Sequence, residues 1–390
     1  MHVIRNGTIY TMGPEGIIQA DLLADDSGKI AAIGNDLGSV DAETTDAAGK
    51  CVVPGFVDPH SHIGGFGMNE GDDDLNELTA PLTPELDAYY GVDPTSRDFQ
   101  IALEHGITTS CITPGSGNVV CGWAIAMKSG SSDCASRLVK RPVALKCAMG
   151  INPKGVYSKK FLMPMSRMGI AFLLQDYLRR VRDYMKKKAD ANGDAAKMPP
   201  YDLGLEHGIP VLEKKIPIKV HSYMHDMMTV LEIARQYDIL CTLDHAQGAS
   251  DYYDELTDPH IQGVIYGPIC SGLFPGEGGK IDFECCKGLD DRGVTVAVMT
   301  DGPVTRPGLL LTEVGEAVRH GMDPIRALGM ITCNSAKIIQ CDERVGSLEK
   351  GKDADILIYS GMPALDISAV LEKVLIDGKV AFDQDKVMHA

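Results

Sequence analysis

Short apolar segments alternate with helical patterns through the middle of the chain. Eight of these segments have the length and apolar content of buried strands. They are residues 52–59, 107–112, 123–127, 142–149, 216–221, 239–245, 262–266 and 294–300. The helical patterns between them include residues 170–188, 226–237 and 309–320. Such alternation over about 250 residues is typical of parallel strands joined by helical crossovers, so eight strands predict an α/β fold, the (β/α)8 TIM-type barrel.

The two ends of the chain follow another pattern, in which short apolar pieces alternate with turn residues. Antiparallel hairpins are favoured by HVIRNGTIYTM and DLLADDSGKIAAIG near the start and by DADILIYSG and LEKVLIDGKVAFD near the end. Neither end alone provides a good sheet, and chain ends often lie close together. We therefore predict one small β domain from residues 1–54 and 343–390, beside a barrel of residues 55–342.

Residues 63–100 interrupt the alternation with a long insert rich in glycine and acidic residues, including GDDD at 71–74. Long loops in barrels often cover the active site. If this insert does so, its carboxylates would favour a cationic substrate. A solvated loop is the simpler alternative.

Charge and composition narrow the class of protein. The chain has 390 residues, of which 44% are hydrophobic, which is enough for a large core. Its formal net charge of −17 repels phosphate backbones, so nucleic acid is excluded as a general partner. The N-terminus lacks the apolar stretch of a signal peptide, and no apolar run approaches the roughly 20 residues of a membrane span. Secretion and membrane attachment are therefore disfavoured.

The eleven cysteines are odd in number, form no CxxC motif and in several cases lie within apolar strand segments. This pattern is typical of buried thiols in a reducing compartment and not of a disulfide framework. We therefore predict a cytoplasmic protein that acts on a small molecule. A homo-oligomer is compatible with the sequence.

Residues that commonly bind metals follow four of the predicted strands. His60 and His62 end the first, and period-two geometry places both imidazoles on one face. His221, His245 and Asp301 each end a later strand. In a barrel, the carboxyl ends of the strands form the active site. Imidazole and carboxylate together are the ligand set of zinc or a related divalent ion, so we predict a metal site there.

Lys146 lies inside the apolar strand PVALKCAMG, where a charged ammonium would lose its hydration. One interpretation is a lysine whose head group reaches solvent at the strand end. The other is an active-site lysine, either salt-bridged or carrying a metal-bridging carbamate. The residues alone leave both open.

The chain resembles the amidohydrolase superfamily, and within it the imidazolonepropionase-related branch of dipeptidase-like and deaminase-like enzymes. The motifs that carry the resemblance extend over nearly the full chain. They are VVPGFVDPHSH, HGITTSCI, LKCAMGINPK, IKVH, LDH, MTDGPV and RVGSLEKGKDADILI. The resemblance implies a metal-bearing (β/α)8 barrel with a small β-sandwich domain built from both chain ends.

By this resemblance, His60 and His62 match the family's HxH ligands. Its later ligands match His221, His245 and Asp301. Lys146 matches the lysine that is carboxylated in binuclear members. The resemblance thus implies one or two divalent ions, zinc being the first expectation, with an N6-carboxylysine at position 146.

Two positions depart from the pattern of the branch and bear on the substrate. Tyr223 stands where relatives often have a second histidine, as HSY in place of HAH, and Ile151 stands where they often have glutamate. We treat Tyr223 as a candidate substrate contact. Arg167 is a second candidate, because a guanidinium matches a substrate carboxylate bidentately, although an ordinary salt bridge is the commoner role.

These residues predict a mechanism. A divalent ion lowers the pKa of a bound water and polarises a carbonyl, and Asp301 would accept the proton of that water and deliver it to the leaving nitrogen. We therefore predict a metal-dependent hydrolase acting on a C–N bond of a small amide, a dipeptide-like molecule or a cyclic amide. The alternatives are a hydrolytic deaminase of a purine, pyrimidine or imidazole-type ring and a metal-free scaffold with the same fold.

Overall fold

A computed structural model of the chain describes residues 1–35, 37–38, 41–67, 73–130, 134–271 and 280–388. One sheet combines strands from both ends of the chain. They are β1 (His2–Tyr10), β2 (Ile17–Ala24), β3 (Ile30–Gly34), β4 (Glu43–Asp46), β5 (Cys51–Pro54), β14 (Ile356–Tyr359), β15 (Leu371–Ile376) and β16 (Lys379–Asp383). The hydrogen bonds follow the order β16-β15-β14-β5-β1-β2-β3, and β4 pairs with β1. We call this the terminal sheet.

The terminal sheet has an apolar core of its own. Ile4 and Leu22 from its first strands pack with Ile356 and Leu375 from its last. The pairs β1–β2 and β2–β3 are antiparallel, as are β14–β15 and β15–β16. The predicted hairpins and the meeting of the two ends in one sheet are therefore confirmed.

The eight remaining strands form a nearly closed barrel. They are β6 (Phe56–Ser61), β7 (Ile107–Ile112), β8 (Val120–Lys128), β9 (Leu138–Ala148), β10 (Ile218–Ser222), β11 (Cys241–His245), β12 (Ile261–Tyr266) and β13 (Val296–Val298). Each overlaps one of the eight predicted segments. The chain passes from β5 to β6 at Gly55, where a Cβ would lie 2.0 Å from Oγ1 of Thr108. The close approach of β6 and β7 therefore requires glycine there.

The direction of one strand corrects the predicted (β/α)8 pattern. β8 pairs antiparallel with both β7 and β9, while the other neighbouring pairs along the sheet are parallel. Only residues 113–119 separate β7 from β8, which is too short for the dozen or more residues of a parallel crossover. The antiparallel strand therefore follows from the length of its connection.

The described helices lie mostly between the parallel strands. They are α1 (Arg97–Glu104), α2 (Cys134–Arg137), α3 (Ile151–Ser158), α4 (Arg167–Ala191), α5 (Leu203–Leu212), α6 (Asp226–Tyr237), α7 (Cys285–Asp290), α8 (Leu309–Arg319), α9 (Pro324–Gly329), α10 (Cys333–Ile338) and α11 (Gln384–Met388). The three predicted helical stretches correspond to α4, α6 and α8 and are confirmed. Between β11 and β12 the chain makes two 3₁₀ turns, Ala249–Asp251 and Glu255–Thr257, where the predicted pattern requires a helix.

Hydrogen bonds between the end of β6 and the segment that follows β13 bridge the seam of the barrel. The amide of Asp301 donates to the carbonyl of His60 over 3.2 Å, and the amide of His62 donates to the carbonyl of Gly302 over 2.5 Å. Asp58 accepts a hydrogen bond from the Thr300 hydroxyl over 2.5 Å. Burial raises the pKa of Asp58 to about 7. The seam thus holds the end of β6 against the segment that follows β13.

All eleven cysteines are free thiols, as the sequence predicts, and seven of them are buried. Among the described residues, no helix is both long and apolar enough to cross a bilayer.

Candidate metal centre

Three predicted ligands converge at the seam of the barrel. His60 lies on β6, His62 follows it, and Asp301 follows β13. The Nε2 atoms of His60 and His62 each lie 3.3 Å from Oδ1 of Asp301. Both imidazoles are buried, whereas the Asp301 side chain is 14% exposed. Within the described chain, these three residues form the cluster whose geometry suits a metal ion.

The hydrogen bonds of the two histidines direct their lone pairs into this cluster. Nδ1 of His60 donates to Oδ2 of Asp244 over 2.5 Å, and Nδ1 of His62 donates to the carbonyl of Thr113 over 2.8 Å. Each ring therefore carries its proton on Nδ1 and leaves Nε2 as an acceptor. Burial lowers the pKa of His60, which keeps that ring neutral.

The charge of Asp301 completes a donor set without protons. Burial raises the pKa of this carboxyl, and a positive charge on the facing rings or a cation between them lowers it. Two lone pairs and a carboxylate oxygen thus face one another. Metal bonds of about 2.0–2.1 Å in tetrahedral geometry place ligand atoms about 3.3–3.4 Å apart. The distance from Asp301 to each imidazole nitrogen is 3.3 Å, and the three donor atoms all lie within 4.8 Å of one another. The residues therefore fit a small divalent ion.

Two of the predicted ligands have left-handed backbones. φ is +54° at Asp301 and +67° at His245, a region that non-glycine residues rarely adopt. Such conformations cost free energy and persist only where the surrounding structure holds them in place. They are concentrated at functional sites. Here they occur where the chain turns away from β13 and β11.

Lys146 is completely buried on β9, and its Nζ lies 3.4 Å from Nε2 of His60. Its head group therefore does not reach solvent, contrary to the first interpretation of the sequence. Burial lowers the pKa of Lys146, which favours the neutral amine. The lysine contributes a nitrogen at the edge of the cluster.

His221 and His245 form a second group beside the first. Their ring centroids lie 4.1 Å apart, and that of His245 lies 5.2 Å from His60. Burial lowers the pKa of His221 well below its ordinary value and that of His245 to about 3, so both are neutral. Nδ1 of His221 is buried without a hydrogen-bond partner. The Tyr223 ring lies 4.8 Å from His221 and 5.4 Å from His245.

Three residues that support His60 were missed by the sequence analysis. Oδ2 of Asp244 also accepts an ion pair from Lys219 over 2.8 Å, and Oδ1 accepts the Thr242 hydroxyl over 3.1 Å. All are buried. Lys219 lies two residues before His221 and pairs in register with Lys146, so strand period could have placed it in the barrel interior.

A cavity of about 390 Å³ opens over the cluster. It is lined by His62, Phe66, Asn76, Ser116, Gly117, Ile151, Asn152, Gly155, Val156, Lys159, His221, His245, Asp301 and Val304. Among these described lining residues, Lys159 and Asp301 are the two that ordinarily carry charge. Phe66 and Asn76 belong to the 63–100 insert, which therefore reaches the cavity.

The structure does not place the acidic motif or Arg167 in this cavity. Asp73 and Asp74 are exposed, and Asp74 lines a neighbouring cavity; Gly71 and Asp72 lie outside the described residues. Arg167 begins α4 and forms an ion pair with Asp226 over 2.8 Å. This geometry corresponds to the salt-bridge alternative for Arg167.

Comparison with known proteins gives consistent results. A model of the amidohydrolase family matches residues 282–387. The crystal structure of an amidohydrolase from Thermotoga maritima MSB8 has a TM-score of 0.93 and 35% identity, covering 98% of this chain and 100% of that one. An imidazolonepropionase from Geobacillus kaustophilus (strain HTA426) is 25% identical over 98% of this chain and 90% of its own length. The amidohydrolase tasK of Hapsidospora irregularis is 26% identical over 89% of this chain, which spans 38% of tasK.

Proposed function

The chain belongs to the amidohydrolase superfamily, and on that premise we propose that it is a metal-dependent hydrolase of a C–N bond in a small amide. The observation that carries the proposal is the convergence of two imidazole lone pairs and one carboxylate at 3.3 Å beneath a cavity. A scaffold protein that had lost its metal would have no use for this donor set, because buried facing acceptors are costly without a cation.

We propose that His60, His62 and Asp301 hold the first divalent ion, zinc being the metal that imidazole and carboxylate suit. His221 and His245 would hold a second ion or face the substrate. When bound there, a divalent ion supplies a lowered pKa for water and a polarised substrate carbonyl. The buried hydrogen bond that Nδ1 of His60 donates to Asp244 orients the ring for this role.

Asp301 is the proposed proton carrier. Its carboxylate is open to the cavity where a substrate would lie, and a divalent ion bound there would keep it ionised. Its carboxylate accepts a proton from the attacking water as the new C–O bond forms. It then delivers that proton to the nitrogen as the C–N bond breaks. The products are a carboxylate and an amine, or both groups in one molecule when the amide is cyclic.

Lys146 is the proposed site of the carbamate. In its neutral form the buried Lys146 amine, 3.4 Å from Nε2 of His60, can form an N–C bond to carbon dioxide and release one proton to solvent, and the resulting carbamate would supply an oxygen to the cluster. The protein should incorporate ¹³C-bicarbonate into a carbamate signal by NMR, and Lys146→Ala should abolish that signal. Bicarbonate depletion of the wild type is the parallel probe, and unchanged metal content and rate in Lys146→Ala and in the depleted wild type would reject the carbamate.

The cavity favours a compact amide that carries a carboxylate. Its walls combine the apolar Phe66, Val156 and Val304 with Asn152, while Lys159 offers a cation to an acidic group. The similarity to imidazolonepropionases adds cyclic amides to the candidates, because an imidazolone is a cyclic amide.

A panel of substrates tests the reaction. N-acyl amino acids, dipeptides and cyclic amides including imidazolones are compared with purines and pyrimidines, and new carboxylate and free ammonia are both measured. We expect new carboxylate from one of the amide classes. Release of ammonia without a new carboxylate would replace this proposal with hydrolytic deamination.

Metal dependence and the role of Asp301 are tested together. Metal analysis of the purified protein should find a divalent ion, and its removal by a chelator should abolish an activity that metal restores. Asp301→Asn should lower kcat by roughly 10²–10⁴-fold at saturating metal. The matched control Asp74→Asn, in the neighbouring cavity, should retain activity. If no ion co-purifies and none restores activity, the hydrolase proposal is wrong.

A further inference from the structure

The connection between α3 and α4 presents a continuous apolar surface. Its large side chains are Phe161, Leu162, Met163, Met165, Met168 and Phe172, and all six are at least half exposed. Phe161 is 86% exposed and Met168 is 81% exposed. The six line one depression together with Ser166 and Gly169. We call these six residues the α3–α4 apolar patch.

The patch does not belong to the face of α4 that packs on the barrel. That face buries Ile170, Leu174 and Leu178, which recur at the three- to four-residue spacing of one helix side. Met168 and Phe172 are four residues apart and exposed on another side. The helix thus has two apolar sides, and the core accounts for one of them.

The patch is larger than a monomer ordinarily exposes. With roughly 200 Å² for a fully exposed large side chain, the six residues present roughly 700 Å². The largest apolar patch on a typical monomer is about 300–600 Å² and often marks an interaction site. Aromatic residues and methionine are also enriched in protein interfaces.

We propose that the α3–α4 apolar patch is the interface of a homodimer. Two patches facing across a two-fold axis would bury roughly 1,400 Å², within the 1,200–2,000 Å² of specific, stable interfaces. An isologous interface requires self-complementarity, which an apolar patch without buried charge provides. The net charge of −17 opposes attachment to an anionic lipid surface.

The proposed interface adjoins the candidate metal centre. Val156 and Lys159 line the cavity, and the patch begins two residues after Lys159. The partner copy would therefore cover the protein surface beside the cavity mouth. This inference is independent of the reaction that the metal centre catalyses.

The test is the molar mass of the purified, metal-containing protein by light scattering at micromolar concentrations. The wild type should have twice the 41.9 kDa of one chain. Phe161→Asp combined with Met168→Asp should return the mass to that of one chain, because it places four charges in the interface. Ile367→Asp is the matched control, since Ile367 is fully exposed outside the patch and its variant should remain dimeric.

A monomeric wild type would overturn the proposal, and so would a double variant that remains dimeric. If the double variant does not fold, hydrogen exchange of the wild type replaces it. Amides of residues 161–172 should exchange more slowly as protein concentration rises, while those of residues 365–369 should not change. Exchange at 161–172 that is independent of concentration would also overturn the proposal.

Discussion

Two buried lysines on neighbouring barrel strands have opposite surroundings. Lys128, at the end of β8, forms ion pairs with Asp353 over 2.7 Å, with Asp355 over 3.1 Å and with Asp377. Burial opposes its charge, but these carboxylates outweigh burial and raise the pKa of Lys128. Lys146, on β9, lies beside the His60 imidazole, and burial lowers its pKa. The surroundings of Lys128 thus favour its charged form, and those of Lys146 disfavour it.

The direction of β8 explains the difference. Because β8 is antiparallel, its last residue lies opposite Thr109 near the start of β7, at the end of the barrel that contacts the terminal sheet. Lys146 lies farther along a parallel strand, toward the carboxyl ends where the histidines gather. At one end of the barrel a buried lysine thus binds another part of the protein, and at the other end a buried lysine lies beside the candidate metal centre.

The largest expected effect is on stability at the end of the barrel near the terminal sheet. Lys128→Met removes the cation between Asp353 and Asp355, and should lower the free energy of unfolding by about 3–5 kcal/mol because buried carboxylates lose their counter-ion. The rate per folded molecule should not change. Urea unfolding measures the effect, with Lys379→Met on the exposed side of β16 as the control. A loss below about 1 kcal/mol, which is typical of an ordinary substitution, would contradict the role of Lys128 as the counter-ion of these carboxylates.

The converse variant, Lys146→Met, should lower kcat by about 100-fold or more, because it removes a group next to the proposed metal ligands. The free energy of unfolding of the metal-free protein should stay equal or rise, since methionine needs no hydration. Steady-state kinetics and urea unfolding on the same preparation give both values. An active but destabilised variant would show that Lys146 has the same role as Lys128.

Acid should weaken the contact of the barrel with the terminal sheet. Burial alone would raise the pKa of Asp353, but Lys128, Lys29 and Arg344 lower it from 3.8 to about 2. Because the folded-state pKa is depressed, the stabilisation is complete above pH 3.8 and is lost as pH falls towards 2. The loss should be about 2 kcal/mol. The urea midpoint of unfolding should fall less steeply between pH 5 and pH 2 for Asp353→Asn than for the wild type. Parallel curves for the two proteins would show that the titration of Asp353 does not contribute to the loss of stability in acid.

The smallest expected effect concerns the support of His60. Thr242→Val keeps the shape of the side chain but removes the hydrogen bond to Asp244, so metal affinity should fall about tenfold. Competition with a chelator measures the affinity. Thr109→Val is the matched control, because the buried Thr109 hydroxyl has no hydrogen-bond partner. Equal metal affinities in the two variants would show that the hydrogen bond from Thr242 to Asp244 does not help to orient the His60 ring.

Much of the fold could be predicted because strand content is a local property. All eight barrel segments and both hairpin-rich ends were located from apolar patterns. The predicted direction of β8 is wrong because a pattern of apolar residues carries no information on strand direction. The short connection of residues 113–119 does carry it, since it is too short for a parallel crossover. Between β11 and β12, where an ideal (β/α)8 barrel has a helix, the chain makes two 3₁₀ turns, since a connection can be made with turns alone.

The candidate site was predicted in part for the same reason. His60, His62, His221, His245 and Asp301 all end strands, and strand ends meet in a barrel. Asp244 and Lys219 were missed because their role depends on contacts, not on position within a motif. Arg167 was a candidate by chemical type alone, and the structure pairs it with Asp226.

The sequence by itself determined which segments are strands, which residue types end them, and that the thiols stay unpaired. These follow from side-chain size, polarity and period along a few residues. Only the tertiary structure decided which nitrogen of His60 is free, because its partner Asp244 is 184 residues away. The same holds for the two lysines: both lie in apolar strand segments, but carboxylates of other segments favour the charge of Lys128, whereas burial disfavours that of Lys146.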